Sequence, residues 1–272
     1  MTQARPPHPR TPFIVRGIRV TRVFAHLARG LATTAFVFPF AGHGSRNRMV
    51  QRWSQGLLRI LAVQLEHTSS GAIPERTLIV ANHISWLDIF VLNALQPSRF
   101  IAKSDIKRWP LVGFLVGGVG TLFLDRTRRR DAGRINAAVA GALDAGDVIA
   151  LFPEGTTTEG RELLPFHGSL LQPVIEARGH VLPVAIRYTH IDGSHSIAPA
   201  YVGDTSLVTS FRQLLRAPRT RVQLHLCAPL PAHGRRRREI AAEAHRIIRT
   251  ALELPEAETR HGPAGQTGMP PL

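Results

Sequence analysis

The chain has 272 residues, 44% hydrophobic and 19% charged, a balance that excludes a mainly disordered or fibrous protein. Its 34 Lys and Arg against 19 Asp and Glu give a net charge of +15, which points to a polyanionic partner: nucleic acid, anionic lipid or an acidic protein. A single cysteine, Cys227, rules out an internal disulfide and a cysteine-built metal or iron–sulfur site.

Residues 1–12 are rich in Pro and Arg and read as a disordered basic tail. They lack the apolar run and small-residue cleavage site of a signal peptide. The first acidic residue is Glu66, and before it arginine carries all the charge. The spacing predicts a helix over 14–31, with Val20, Val23, Phe24, Leu27 and Leu31 on one face and Arg19, Arg22, His26 and Arg29 on another. A second helix is predicted over 46–65. Its apolar face is Met49, Val50, Trp53, Leu57, Ile60 and Leu61, and its polar face Arg48, Arg52, Gln55 and Arg59.

Between them, 30–45 carries no formal charge and holds Phe36, Phe38 and Phe40. It is shorter than the ~20 apolar residues of a spanning helix, and Pro39 interrupts it. Basic amphipathic helices around a short aromatic stretch suit an anionic membrane surface, so 13–66 reads as a membrane-binding segment. The competing reading is two surface helices packed on a core.

Apolar β-rich runs follow at 77–81, 99–102, 121–124, 148–152, 181–187 and 222–227, with helical patterns between several of them. One helix is expected from a cap at Asp131 through Leu143 to Gly146, another over 239–252. This alternation predicts an α/β domain over 67–254, with a mixed, largely parallel sheet flanked by helices. Residues 255–272 are rich in Pro and Gly and read as a flexible tail.

Four segments carry the chemistry. In Asn82-His83-Ile84-Ser85-Trp86-Leu87-Asp88, His83 in a loop can meet Asp88 in the first turn of a helix, with Ser85 as its N-cap. That pairs an imidazole base with a carboxylate that fixes its tautomer. The plainer alternative is a capping box with an incidental histidine. In Gly120-Thr121-Leu122-Phe123-Leu124-Asp125-Arg126, the guanidinium of Arg126 suits a phosphate. In Phe152-Pro153-Glu154-Gly155-Thr156-Thr157-Thr158, the glycine and the groups after it suit a close-lying ligand, or simply a turn. In Val181-Leu182-Pro183-Val184-Ala185-Ile186, the proline marks a bulge, an edge or a pocket wall.

In this order and spacing, the four segments resemble the motifs of the glycerolipid acyltransferase family, which includes bacterial 1-acyl-glycerol-3-phosphate acyltransferases. Phe100–Asp105 and Trp109–Gly113 also look like that family, and the resemblance covers roughly 57–188. It implies transfer of an acyl group from a coenzyme A or acyl carrier protein thioester to a lipid hydroxyl. No cofactor is implied beyond that co-substrate, and no metal. His83 would take the hydroxyl proton and Asp88 would orient His83. Asn82, Lys103, Arg126, Glu154, Gly155 and Thr156 would bind substrate, with Arg126 and the Glu154–Thr156 loop on the acceptor's phosphate.

The implied acceptor is lysophosphatidate, and the implied place the cytoplasmic face of a bacterial inner membrane. One departure stands out: Thr157 occupies the position after Glu-Gly-Thr where many lysophosphatidate acyltransferases of the family have arginine. The run Thr-Thr-Thr-Glu-Gly, followed by Leu-Leu-Pro-Phe-His, also resembles the branch that acylates lyso-ornithine lipid. A basic nucleic-acid-binding protein is the alternative from another class, but aromatics are only 6% and no helix-turn-helix pattern is visible. A hydrolase lacks the Gly-x-Ser-x-Gly elbow.

Overall fold

The computed structural model describes residues 10–104, 112–124 and 129–255. The expected tails at 1–12 and 255–272 lie largely outside it. Of the first tail, Thr11 is described: it is buried and donates its N–H to Arg216 O.

Helix α1 (Phe13–Ala32) runs on through a π turn (Thr33–Val37) and a 3-10 turn (Phe38–Phe40). The apolar stretch expected between two helices is therefore the end of one. From Phe13 to Phe40 it is long and apolar enough, by length and composition, to cross a membrane, and 17% of its most apolar window is buried. Helix α2 spans His43–Ile60, ending before the predicted 65. Ala62 (φ 55) reverses the chain, and Val63–Ser69 then forms strand β1. A domain boundary at 66 would fall inside that strand. Helix α2 also buries Leu57, Leu58 and Ile60 in the same core as the central strands, so it belongs to the α/β unit.

The remaining strands are β2 (Thr77–Ala81), β3 (Arg99–Lys103), β4 (Leu122–Leu124), β5 (Ile149–Leu151), β6 (His180–Thr189), β7 (Thr220–Leu226) and β8 (Leu230–Pro231). The helices between them are α3 (Asp88–Leu95), α4 (Val112–Gly118), α5 (Arg129–Asp144), α6 (Gln172–Glu176), α7 (Leu207–Arg216) and α8 (Arg237–Ala251). Helix α5 is already formed at Arg129, so Asp131 lies within it instead of capping it. The eight-stranded sheet has the order β1-β7-β6-β2-β5-β3-β4, with β8 beside β6. Among these strands the pairings of β6 with β7 and β8 are antiparallel and the others parallel.

Strand β2 is buried along its whole length. Ile79 and Ala81 join the core under α1, α2, α3 and α7, while Leu78 and Val80 join the core under α5, α6 and α8. Alternation of this kind is what two covered faces require. Pro183 is neither at an edge nor in a bulge. It sits in β6 between the residues paired to β8 (His180, Val181) and those paired to β7 (from Val184), and its carbonyl accepts from Cys227 N. At that seam the missing N–H interrupts no ladder bond.

The α1–α2 packing departs from the predicted faces. His26 is buried, not on an arginine face, and Phe24 is exposed. The His26 ring stacks on Trp53 at 4.7 Å. His26 Nε2 lies 2.9 Å from Trp53 O, and Trp53 Nε1 donates to His26 O at 3.1 Å.

Candidate active site

In a parallel sheet, ligands gather at the carboxyl ends of the strands. The ends of β2 and β5 lie side by side here, and both lead into motif loops. After β2 the chain does not enter a helix at once. Ser85 Oγ accepts from Leu87 N and Asp88 N reaches Ser85 O, forming a turn before α3. The N-cap is thus Leu87 and not Ser85, and Asp88 is the first helical residue.

Starting there, the Asp88 carboxylate points back over the turn. Its Oδ2 accepts from His83 Nδ1 (2.9 Å), Ile84 N (2.7 Å) and Ser85 N (2.9 Å). Its Oδ1 accepts from the Tyr188 hydroxyl at 2.8 Å. Asp88 is fully buried, and the backbone N–H groups and the Tyr188 hydroxyl around it all donate to it. In that setting His83 also donates, through Nδ1–H, which leaves Nε2 as its free nitrogen. The His83 side chain is 20% exposed and that of Asp88 0%. A substrate can therefore reach the imidazole, while water does not reach the carboxylate.

His83 is held on every side. Its ring stacks on Phe152 at 3.9 Å with 5° between planes, and Phe152 stacks on Phe100. Its backbone N–H donates to Glu154 Oε1 (2.7 Å), and its carbonyl accepts from Thr158 N (2.9 Å). The loop after β5 thus grips the loop after β2.

The expected substrate-binding residues fall into three groups. Asn82 and Glu154 are turned inward. Asn82 is buried, and its amide exchanges two bonds with the backbone of Ile186 (3.0 and 2.7 Å), tying β2 to β6. Glu154 is 4% exposed and spends its second oxygen on Leu164 N at 2.9 Å. Burial outweighs those two amide bonds and raises its carboxyl to about 7. For both, the expected contact with substrate gives way to bracing of the backbone.

Gly155 and Thr156 form the second group, at the surface side of the same loop. Gly155 has φ +74, a conformation that L side chains rarely adopt, and Thr156 is exposed. The third group is Lys103, which ends β3, one strand beyond β5 from β2, and Arg126, which lies outside the described residues. Thr157, the departing position, donates its hydroxyl inward to Tyr201 O.

The model of the family described as acyltransferase matches residues 42–187. The chain belongs to the acyltransferase family. A lyso-ornithine lipid O-acyltransferase of Pseudomonas aeruginosa is 37% identical over 241 residues, covering 86% of this chain and 92% of that protein. A 1-acyl-sn-glycerol-3-phosphate acyltransferase of Neisseria meningitidis is 43% identical over 166 residues, covering 61% of this chain and 65% of that protein. The crystal structure of the 1-acyl-sn-glycerophosphate (LPA) acyltransferase PlsC from Thermotoga maritima matches with a TM-score of 0.64. At 18% identity, over 88% of this chain and 94% of that one, it shows a shared fold.

Sequence reading missed Tyr188 in this acyltransferase. It lies a hundred residues from Asp88, and only the β2–β6 pairing brings the two together. The available signal was a tyrosine two residues beyond the apolar run 181–186, since a hydroxyl buried there requires a partner.

Proposed function

We propose that the chain moves a fatty acyl group from a thioester of coenzyme A or acyl carrier protein to the free hydroxyl of a lysolipid. The observation that carries this reading is the pair of a partly exposed His83 and a fully buried Asp88 at the carboxyl end of β2.

His83 Nε2 takes the proton of the acceptor hydroxyl while its oxygen attacks the thioester carbonyl. The new C–O bond forms as the carbonyl becomes an oxyanion. When the oxyanion collapses, the C–S bond breaks, and the leaving thiolate takes the proton back from the imidazolium. Asp88 stabilises the imidazolium between the two steps. The acceptor hydroxyl thus stands where a triad's serine would, and no acyl-enzyme is required.

The acceptor we favour is lyso-ornithine lipid. The Pseudomonas relative with that activity in its name aligns along nearly all its length. The position after Glu-Gly-Thr also offers no cation to a phosphate, because it is Thr157 and its hydroxyl faces Tyr201 O. Lysophosphatidate is the second reading, supported by the 43% identity to the meningococcal enzyme. We place the activity at the cytoplasmic face of a bacterial inner membrane, where both acceptors and thioesters meet, with α1 at the lipid surface.

The test is transfer of labelled acyl groups in mixed micelles, with lyso-ornithine lipid and lysophosphatidate offered in parallel. Faster product formation from lyso-ornithine lipid is expected. Product from lysophosphatidate alone would overturn the acceptor assignment and keep the chemistry.

A further inference from the structure

We infer that Tyr188 is a positioning residue for the acyl-transfer pair, holding Asp88 in the orientation from which Asp88 holds His83. This inference rests on the reading of His83 as the base, and it is independent of which lysolipid is the acceptor.

Three observations carry it. First, Tyr188 is among the largest fully buried side chains of the protein, packed in the core that holds Val184, Ile186, Val222 and Leu224. A phenylalanine would fill such a place without bringing a polar group into it. A hydroxyl retained there needs a partner, and Asp88 Oδ1 is that partner at 2.8 Å.

Second, the two carboxylate oxygens are loaded unequally. Oδ2 takes His83, Ile84 and Ser85, all from the turn that Asp88 itself closes. Among the described residues the bond to Oδ1 comes from Tyr188, on a different strand. That bond fixes the carboxylate plane from outside the motif, so the direction of the His83 Nδ1 bond does not depend on the loop alone.

Third, the strand that carries Tyr188 is pinned to the motif. Asn82, the residue before His83, bonds both the N–H and the carbonyl of Ile186. Tyr188 follows two residues later on the same face of β6. Asn82 and Tyr188 therefore act as one brace: the first sets the register of β6 against the end of β2, and the second delivers the hydroxyl to Asp88.

The phenol stays neutral, because burial and the adjacent carboxylate hold it well above its usual range. It can thus only donate to Asp88. Two other titratable groups face this site. His83 approaches from the end of β2, and Glu154 approaches from the end of β5 through the backbone N–H of His83. Among the described residues the Tyr188 hydroxyl is bonded to Asp88, so a change confined to that hydroxyl reports on Asp88.

Removing the hydroxyl leaves Oδ1 without that donor. The negative charge of the carboxylate is then less offset by the phenol dipole and holds the imidazolium more strongly. The acidic limb of the kcat/KM profile should therefore move to higher pH.

The experiment measures steady-state transfer and its pH profile for the full chain, for Tyr188→Phe, and for protein carrying 3-fluorotyrosine at 188. His83→Ala is run in parallel. Tyr188→Phe should lower kcat about tenfold, leave both KM values unchanged and shift the acidic limb upward. The fluorinated phenol is a stronger donor of nearly the same shape. It should shift the limb downward, and it carries the test if Tyr188→Phe folds poorly. A merely structural tyrosine would change the amount of folded enzyme without moving the limb. An inactive His83→Ala beside unchanged kcat and limb in both Tyr188 variants would overturn the proposal and leave the function standing. Wild-type turnover by folded His83→Ala would instead overturn the underlying reading, and the proposal with it.

Discussion

Asn82, Glu154 and Asp88 are polar groups buried within a few residues of one another in space, and each is used on backbone or on a partner side chain. Asn82→Ala would strip both polar atoms of Ile186 of their partner. It should destabilise the protein by about 2–4 kcal/mol, since each buried group left unpaired costs about 1–3 kcal/mol. A thermal melt together with the specific activity of the folded fraction checks this. A large drop in melting temperature with a lowered kcat and an unchanged KM is expected, whereas a residue that contacted substrate would raise KM with little change in melting temperature.

Glu154 makes a pH prediction. Its carboxyl is raised from 4.5 to about 7 by burial, so the native state holds a proton that the unfolded chain has already lost. Its contribution to stability is present in full below about 4.5 and is lost as pH rises through about 7. Across that window the loss amounts to roughly 3 kcal/mol. Denaturant titrations at several pH values should show stability falling in this range, with a smaller slope in Glu154→Gln. An equal slope in the variant would show that another group titrates there.

At the scale of elements, the α1–α2 pair depends on a small residue at a helix crossing. A Cβ on Gly56 would lie 2.7 Å from the His26 ring, which is itself trapped by stacking on Trp53. Gly56→Ala should therefore loosen α1, at a cost of about 1–3 kcal/mol. Limited proteolysis reads this as faster cutting between α1 and α2, and unchanged cutting would contradict the packing.

What could be read from sequence divides along the same lines. The strands 77–81, 148–152 and 181–187 were legible because both faces of the central sheet are covered, which gives apolar runs of strand length, and 222–227 because buried apolar residues alternate there with polar ones. Strand β1 was not. Leu61, Val63 and Leu65 continue the apolar pattern of α2, and only the positive φ of Ala62 separates the two elements. Helix α7 was missed too, although Ser206 caps it through Thr209 N. His83 and Asp88 were legible because they lie five residues apart within one motif. The Asn82–Ile186 and Asp88–Tyr188 contacts run from the loop after β2 and the start of α3 to the distant strand β6, and local pattern carries no trace of them.

For the whole molecule, the sheet keeps His83 and Asp88 at one end, and α1 supplies an apolar surface. Phe36 and Phe40 are 76% and 89% exposed at the end of the helical run, an unusual position for two phenylalanines outside lipid. Replacing both with serine should weaken co-sedimentation with anionic vesicles several-fold and leave the melting temperature within error. Undiminished vesicle binding would assign the membrane contact to another surface. If the arginines of α1 and α2 add an electrostatic component to vesicle binding, that component should fade as salt is raised.

The central claim is that His83, held by Asp88, is the base that deprotonates a lysolipid hydroxyl. The most direct test is the initial rate of acyl transfer from a labelled thioester to lysolipid in mixed micelles. Purified wild-type protein is compared with His83→Ala whose fold has been verified by circular dichroism. Lipid product is expected from the wild type, with a rate at least about 10³-fold lower for the variant. Comparable rates for the two folded proteins would contradict it.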